Sequence, residues 1–288
     1  MTKAAVLVLA AMLLAMPALA QVDFSGEWAP LYHENGPERL PGPELGDYTE
    51  LPINDAARLR ADSWDADRIS VVEQYQCRPH GSDYALRGLG NMRVTRDIDA
   101  ATQRLTAFHT HMLAWDSDRT IYMDGRAHPP DYANHTWQGF STAVWEGNML
   151  TVTTTHVKQG WQRRENIPAS DEVTVIEHYI RRGNMLTHIS VTEDPVFLDE
   201  PLIKSEEFAL NPDPNAFNPF WPCEYIEEGE HQRGEVPSYF AGENPWIAEY
   251  AATHDLPQEA TLGGAATMYP EYRARLKVLP KAVHHPQE

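Results

Sequence analysis

The pentapeptide Gly-Asn-Met-Leu-Thr occurs twice, at 147–151 and again at 183–187, each time between two runs of β-type residues. Gly-Asn in that setting signals a two-residue hairpin turn, because both residues tolerate the positive φ that such turns need. Counting outward from two such turns sets the pairing of four strands. In the first hairpin Trp145 faces Leu150, Ala143 faces Val152 and Ser141 faces Thr154, with His156 further along the same side. In the second, Ile180 faces Thr187, His178 faces Ile189 and Ile176 faces Val191. Tyr179 with His188, and Glu177 with Ser190, fall on the opposite face. Side chains alternate along a strand, so each face has one chemical character. The Trp145/Val152 face and the Ile/Val face are the more apolar, which places Trp145, His156 and His178 inward and Glu177 and His188 outward. A slip of one residue would exchange the faces.

β-type runs with tight turns extend from about Met92 to Thr192, with Asp124-Gly125 as a further turn candidate. This is the signature of an all-β chain whose antiparallel meander closes into a barrel or sandwich. Before it, Asn54 can cap a short helix from about Asp55 to Trp64. After it, a Pro/Asn-rich stretch leads to two short helical pieces, near Pro245 to Thr253 and Pro270 to Leu279. The expected organisation is a leader over 1–20, a barrel domain over 21–230 and a helical C-terminal tail over 231–288.

Residues 1–20 hold one lysine, an apolar run and Ala-Leu-Ala before Gln21, the layout of a cleaved export signal. No later stretch reaches the roughly 18 apolar residues of a transmembrane helix. The expectation is a periplasmic or secreted protein without an integral membrane segment. A net charge of −19 would be repelled by phosphate backbones and anionic lipids, so nucleic acid is a poor partner candidate. Two cysteines, Cys77 and Cys223, would bridge in an oxidising compartment, although spacing alone does not establish the bond.

Histidine is where chemistry can lie, since its unperturbed pKa is near neutrality. The chain has 13. In Phe108-His109-Thr110-His111-Met112 the two histidines share a strand face, and the alternative face is equally acceptable as core. With His156 and His178 they form an acid–base set in which Asp124 or Tyr122 can return a proton, giving an isomerase, lyase or hydratase reaction on a small molecule. The same imidazoles could instead hold Zn or Cu, or serve a carrier without catalysis. No other cofactor is indicated. Arg126, His128 and His135 sit in a Pro-rich loop at a barrel mouth and are candidates for binding the substrate. Trp115, Trp137, Trp145, Tyr122 and Ser141 are candidates for the wall of its cavity, suited to a partly aromatic or apolar substrate.

Gly26-Glu27-Trp28, after Asp23-Phe24, resembles the opening of lipocalins, where a Gly-x-Trp on the first strand closes one end of a barrel. The resemblance implies a lipocalin-like (calycin-type) barrel of eight to ten strands. A longer pattern runs from Ile121-Tyr122-Met123-Asp124-Gly125-Arg126-Ala127-His128-Pro129 through Trp137-Gln138-Gly139-Phe140-Ser141 to Trp145-Glu146-Gly147 and Leu150-Thr151-Val152-Thr153-Thr154. Asp194-Pro195 and the region of Cys223 follow in order. This series resembles a widespread, uncharacterised family of exported bacterial proteins. It implies export and fold, and it supplies almost no chemistry.

Overall fold

A computed structural model describes residues 22–31, 43–65, 79–87, 90–112, 117–163, 167–213, 232–236 and 238–286. Trp115, Cys77, Cys223 and residues 1–20 lie outside the described residues, and with them the expected bridge and leader.

In chain order the strands are β1 (Gly26–Leu31), β2 (Met92–Ile98), β3 (Leu105–Met112), β4 (Ser117–Tyr122), β5 (Phe140–Glu146) and β6 (Met149–Thr155). They continue with β7 (Gly160–Arg163), β8 (Ile167–Ala169), β9 (Thr174–Arg182), β10 (Met185–Glu193) and β11 (Leu202–Asn211). Nine close into a barrel in the order β1, β11, β10, β9, β6, β5, β4, β3, β2, and β7 with β8 form a separate two-stranded sheet. Closure removes every sheet edge from the ring. A ring of nine cannot alternate direction all the way round, so at least one neighbouring pair must run parallel. That pair is β4 with β5, matched at Ile121–Ser141 and Tyr122–Thr142. The barrel is therefore mixed rather than wholly antiparallel. Asp124-Gly125 opens the long connection 123–139 instead of closing a hairpin.

Both counted hairpins have the expected register. At their turns Gly147 and Gly183 take φ of 69° and 63°, and the asparagines do not enter the left-handed region. Positive φ is thus confined to the first turn residue, as a II′ turn requires. The first hairpin also faces as expected: Ser141, Ala143, Leu150, Val152 and Thr154 are buried, and Trp145 stacks on Phe24 with ring centroids 5.5 Å apart. The second hairpin is reversed. Val175, Glu177, Tyr179, Leu186, His188 and Ser190 are buried, whereas His178 is only half-buried, on the outer face. The cause is the neighbouring strand: β9 pairs with β6 at Val152–Glu177 and Leu150–Tyr179. Residues directly opposite share a face, so an inward Val152 forces Glu177 inward.

A similar constraint decides β3. Phe108, Thr110 and Met112 are buried, which turns His109 and His111 outward. Outside, His109 meets Thr120 (3.1 Å) and Asp97 (2.8 Å), and His111 meets Asp118 (2.5 Å).

One part of the interior is apolar, built on Phe24, Trp28, Phe108, Leu186 and Phe208. The void lined by Phe24, Val94, Phe108, Thr110, Ile121, Leu150, Tyr179 and Leu186 is only ≈ 10 Å³, about one water's worth. Another part of the interior carries charge. Arg119 is buried and donates to Glu177 through Nη1 (3.0 Å) and Nη2, to Ser141 Oγ through Nε (2.8 Å) and to Thr154 Oγ1 (2.5 Å). Glu177 Oε1 also accepts from Tyr179 Oη and His188 Nε2, each at 3.0 Å, and His188 Nδ1 donates to Glu206 at 2.7 Å. A carboxylate only accepts, so an imidazole between two of them donates from both nitrogens and is the cation. Burial opposes that charge, but the hydrogen bonds to Glu177 and Glu206 outweigh it and push the His188 pKa up to about 9. Burial likewise works against Glu177, yet Arg119 and His188 hold its pKa down at about 2.

Two further pieces lie against the barrel. Helix α1 (Asp55–Asp62) is capped by Asn54, whose side chain accepts from Ala57 N at 3.0 Å, and it buries Ala57 and Ala61. The backbone of Asn54 donates to Phe197 O, in the connection between β10 and β11. The tail, with α2 (Glu249–Thr253) and α3 (Pro270–Leu276), ties to this segment through Tyr48 N to Thr261 O and Gly264 N to Leu51 O. Asp83, on the turn before β2, is buried, and desolvation lifts its pKa to about 7 despite the nearby Arg87.

Removing one partner strands the other charge in a sealed interior. Glu177→Gln should therefore lower the unfolding free energy by about 3–5 kcal/mol in urea titrations.

The same groups set the pH profile. His188 binds its proton more tightly folded than unfolded (about 9 against 6.5), so its stabilisation is complete below about pH 6.5 and is lost as pH rises through 9. Asp83 keeps a proton to about pH 7 that an unfolded aspartate releases near 3.8, so stability also falls between those values as pH rises. Glu177, depressed to about 2 from 4.5, reverses the trend only in more acidic solution. Unfolding free energy measured at intervals should decline from pH 5 to pH 9, with Asp83→Asn flattening the segment below pH 7. A wild-type profile that is flat or rising over that range would contradict the assignment.

Candidate functional site

An open cleft of ≈ 530 Å³ lies where β6 ends and β9 begins, lined by Asp131, His135, Thr155, His156, Asp171, Glu172, Val173 and Thr174. Three local features build it. The connection 123–139 is fastened across the end of β6 by a parallel bridge between Thr136 and Val157, with Thr136 N donating to His156 O (3.0 Å) and Lys158 N to Thr136 O (2.9 Å). Gly139 lets the connection come this close: at φ 66° it lies so near β6 that a Cβ would meet Thr155 O at 2.5 Å. Finally, His156 itself has φ 59°, left-handed backbone that histidine seldom adopts. The turn carries its ring out of strand alternation and onto its own neighbour Thr155.

The hydrogen bonds determine what each histidine can do. His156 Nε2 lies 3.0 Å from Pro130 O and Nδ1 lies 2.7 Å from Thr155 Oγ1, so both nitrogens are engaged. His128 is engaged at both as well, Nδ1 with Thr155 (2.7 Å) and Nε2 with Thr142 (2.9 Å). Burial, followed by the proximity of His156, lowers its pKa below the usual imidazole value. His135 differs. Its Nδ1–H donates to Val157 O at 3.0 Å, which leaves Nε2 as the lone-pair nitrogen, with no hydrogen-bond partner among the described residues. The His135 and His156 rings lie 5.1 Å apart between centroids.

Of the histidines read from the sequence, His135 and His156 thus line this cleft, and His128 lies beside it, linked through Thr155. The other candidates do not join them. His109 and His111 are on the outer face of β3, and His178 is on the outer face of β9, bonded through Nδ1 to Thr151 at 3.1 Å. Asp124 is exposed and paired with Arg126, whose hydrogen bonds hold its carboxyl down at about 2, so it carries no proton to return near neutrality. Arg126 is turned back onto the Tyr122 ring (3.7 Å to the centroid), which occupies both residues with each other. Trp137 lies under Lys158 Nζ at 5.3 Å. Ser141 and Trp145 point into the barrel, where Ser141 serves Arg119 rather than a bound molecule.

Sequence reasoning missed Asp131, Thr155, Asp171 and Glu172 at the cleft, and Arg119, Glu177 and Glu206 inside the barrel. Glu177 was visible in the hairpin count but assigned to the wrong face. Only the β6–β9 pairing corrects that, and it joins strands separated by β7 and β8. No group of three or more His, Cys, Asp or Glu residues among the described ones is arranged to hold a metal ion, so no metal site is assigned. Among the described residues no helix is long and apolar enough to cross a membrane.

Comparison with protein-family models, with curated proteins and with solved structures gave no match in any of the three.

A substitution at Gly139 tests how the cleft is held. Gly139→Ala should cost about 1–3 kcal/mol and shift the NMR signals of Thr155 and His156. The control Gly147→Ala shares the positive φ but has nothing within 4 Å, so it should cost less and leave the cleft signals in place.

Proposed function

We propose that the protein is a small-molecule enzyme of the lyase, isomerase or hydratase kind, working by acid–base chemistry in the cleft between the end of β6 and the start of β9. The observation that carries this reading is the state of His135. A backbone carbonyl accepts from its Nδ1–H, so the neutral ring keeps its lone pair on Nε2, and the residue lines a cleft large enough for a small molecule. That is the arrangement a general base needs, with the ring oriented and the tautomer set by the nitrogen that does not react.

In the proposed cycle His135 Nε2 takes a proton from the substrate and becomes the imidazolium. It then returns the proton to a neighbouring substrate atom in an isomerisation, or to the departing group in an elimination. Asp131, Asp171 and Glu172 line the same cleft and make it acidic. The lining is mostly polar, which suits a small polar substrate better than an apolar one. An apolar ligand would have to displace the protein's own aromatic side chains to enter the barrel. Export follows as part of the same proposal, from the leader-like residues 1–20.

Proton abstraction can be read without knowing the natural substrate. The protein would be incubated in deuterated water with a panel of small hydroxy, keto and amino compounds, and deuterium uptake followed by mass spectrometry. For any compound that exchanges, His135→Gln should slow exchange by a factor of about 10² or more, while His178→Gln, on the outer face, should leave it unchanged. Full exchange in His135→Gln would overturn the reading.

A further inference from the structure

Four hydrogen bonds run in series beside the cleft: Thr142 Oγ1 to His128 Nε2 (2.9 Å), His128 Nδ1 to Thr155 Oγ1 (2.7 Å), Thr155 Oγ1 to His156 Nδ1 (2.7 Å) and His156 Nε2 to Pro130 O (3.0 Å). Their directions can be deduced from one end. A backbone carbonyl only accepts, so His156 carries a proton on Nε2. Neutral His156 then has its lone pair on Nδ1 and must accept from the Thr155 hydroxyl. That hydroxyl has one hydrogen, so toward His128 it can only accept, which puts the His128 proton on Nδ1. His128 Nε2 is left to accept from Thr142.

We infer that Thr155 is the reversible link of a proton relay, which carries a proton taken up at His128 on the outer face of the barrel to His156 in the cleft, beside His135. Each of the three bonds from Thr142 to His156 has a second, equally complete direction, while the bond from His156 Nε2 to the Pro130 carbonyl keeps its own. A proton that binds His128 Nε2 allows the Nδ1 proton to pass to Thr155 Oγ1 as the Thr155 hydrogen passes to His156 Nδ1. One N–H bond forms at His128 Nε2 and one breaks at Nδ1. At Thr155 one O–H bond forms and one breaks, and at His156 a new N–H bond appears. The outcome is neutral His128 as the Nε2–H tautomer and positively charged His156, with all four hydrogen bonds kept and their directions from Thr142 to His156 reversed. Thr155 passes the proton through its own hydroxyl and acts on the cleft only through His156, so toward the substrate chemistry it is a positioning residue.

The two ends differ in the way a relay needs. His128 is half-buried on the outside of β5 and β6, bonded to the outward Thr142 and Thr155. His156 is almost fully buried and packs on His135. Burial and the neighbouring His156 both disfavour charge on His128, which sends the proton onward rather than holding it there. The other titratable groups lining the cleft with His156 are His135 and the carboxylates Asp131, Asp171 and Glu172. The relay depends on the proposed function only for its use. Its existence depends on the hydrogen bonds alone.

Nitrogen-15 NMR of the histidine rings tests it directly, because each tautomer and the imidazolium have distinct ring-nitrogen shifts. In the wild-type protein near neutrality His128 should be the Nδ1–H tautomer and His156 the Nε2–H tautomer. On acidification, charging of His156 should coincide with conversion of His128 to Nε2–H. Thr155→Ser keeps the hydroxyl and should preserve the coupled change, whereas Thr155→Val removes it and should leave the two rings titrating independently. Finding His128 as Nε2–H in the neutral wild-type protein, or coupling that survives in Thr155→Val, would overturn the relay. The wild-type titration decides the matter even if the valine variant fails to fold. For a compound that exchanges deuterium, Thr155→Val should slow exchange about tenfold with an altered pH profile, and Thr155→Ser should restore it. Unchanged exchange in His135→Gln with a coupled NMR titration would refute the catalytic reading and leave the relay standing.

Discussion

Arg119 enters the barrel on β4, and a guanidinium cannot shed its charge at any ordinary pH. Sealed from water, it must find anionic and polar partners inside, and the surrounding strands are built to supply them. Glu177 meets it bidentately from β9, while Ser141 on β5 and Thr154 on β6 take two more of its five hydrogens. His188 then bridges Glu177 to Glu206, so that β4, β5, β6, β9, β10 and β11 are joined by one continuous polar chain. This network makes the reversed facing of the second hairpin affordable: isoleucines lie outside because the inner positions are needed for charge.

Thr154 and Thr155 are consecutive on β6, and alternation sends them to opposite sides of the sheet. Thr154 completes the Arg119 network inside, and Thr155 joins His128 to His156 outside. The strand therefore separates two polar systems of different character. The inner one has charged partners on every member and is closed to water, which suits it to stability. The outer one is a set of histidine and threonine hydrogen bonds, next to the His135 imidazole, whose Nε2 has no hydrogen-bond partner among the described residues. The proposed chemistry is placed on the outer side because the inner network is sealed from any proton source.

Local sequence signals carried a good deal of this architecture. The repeated Gly-Asn pair placed two turns and gave the register of four strands, because a two-residue turn leaves no freedom in the count that follows it. Asn54 announced helix α1, since an amide at that position satisfies an otherwise unpaired backbone donor. Facing was less legible. For β9 and β10 the more apolar side was the outer one, so hydrophobicity gave the wrong answer once charges on the inner side had found partners. The parallel β4–β5 pair was hidden for another reason: it follows from closing a ring with an odd number of strands, and no single segment records the strand count.

By itself the sequence determined the all-β class, the turns, the pairing within each hairpin and the presence of histidines near Asp131 to Val157. These are local matters, decided by backbone preference and by counting along one chain. The tertiary structure alone decided which histidines come together. It paired β6 with β9, turning Glu177 and His188 inward and His178 outward, and it laid the connection 123–139 across the end of β6. His135 thereby received a carbonyl partner on Nδ1 and a place in the lining of the cleft. Each of these outcomes depends on contacts between residues far apart in the chain, where the partner's position, rather than the residue's own chemistry, sets what a side chain can do.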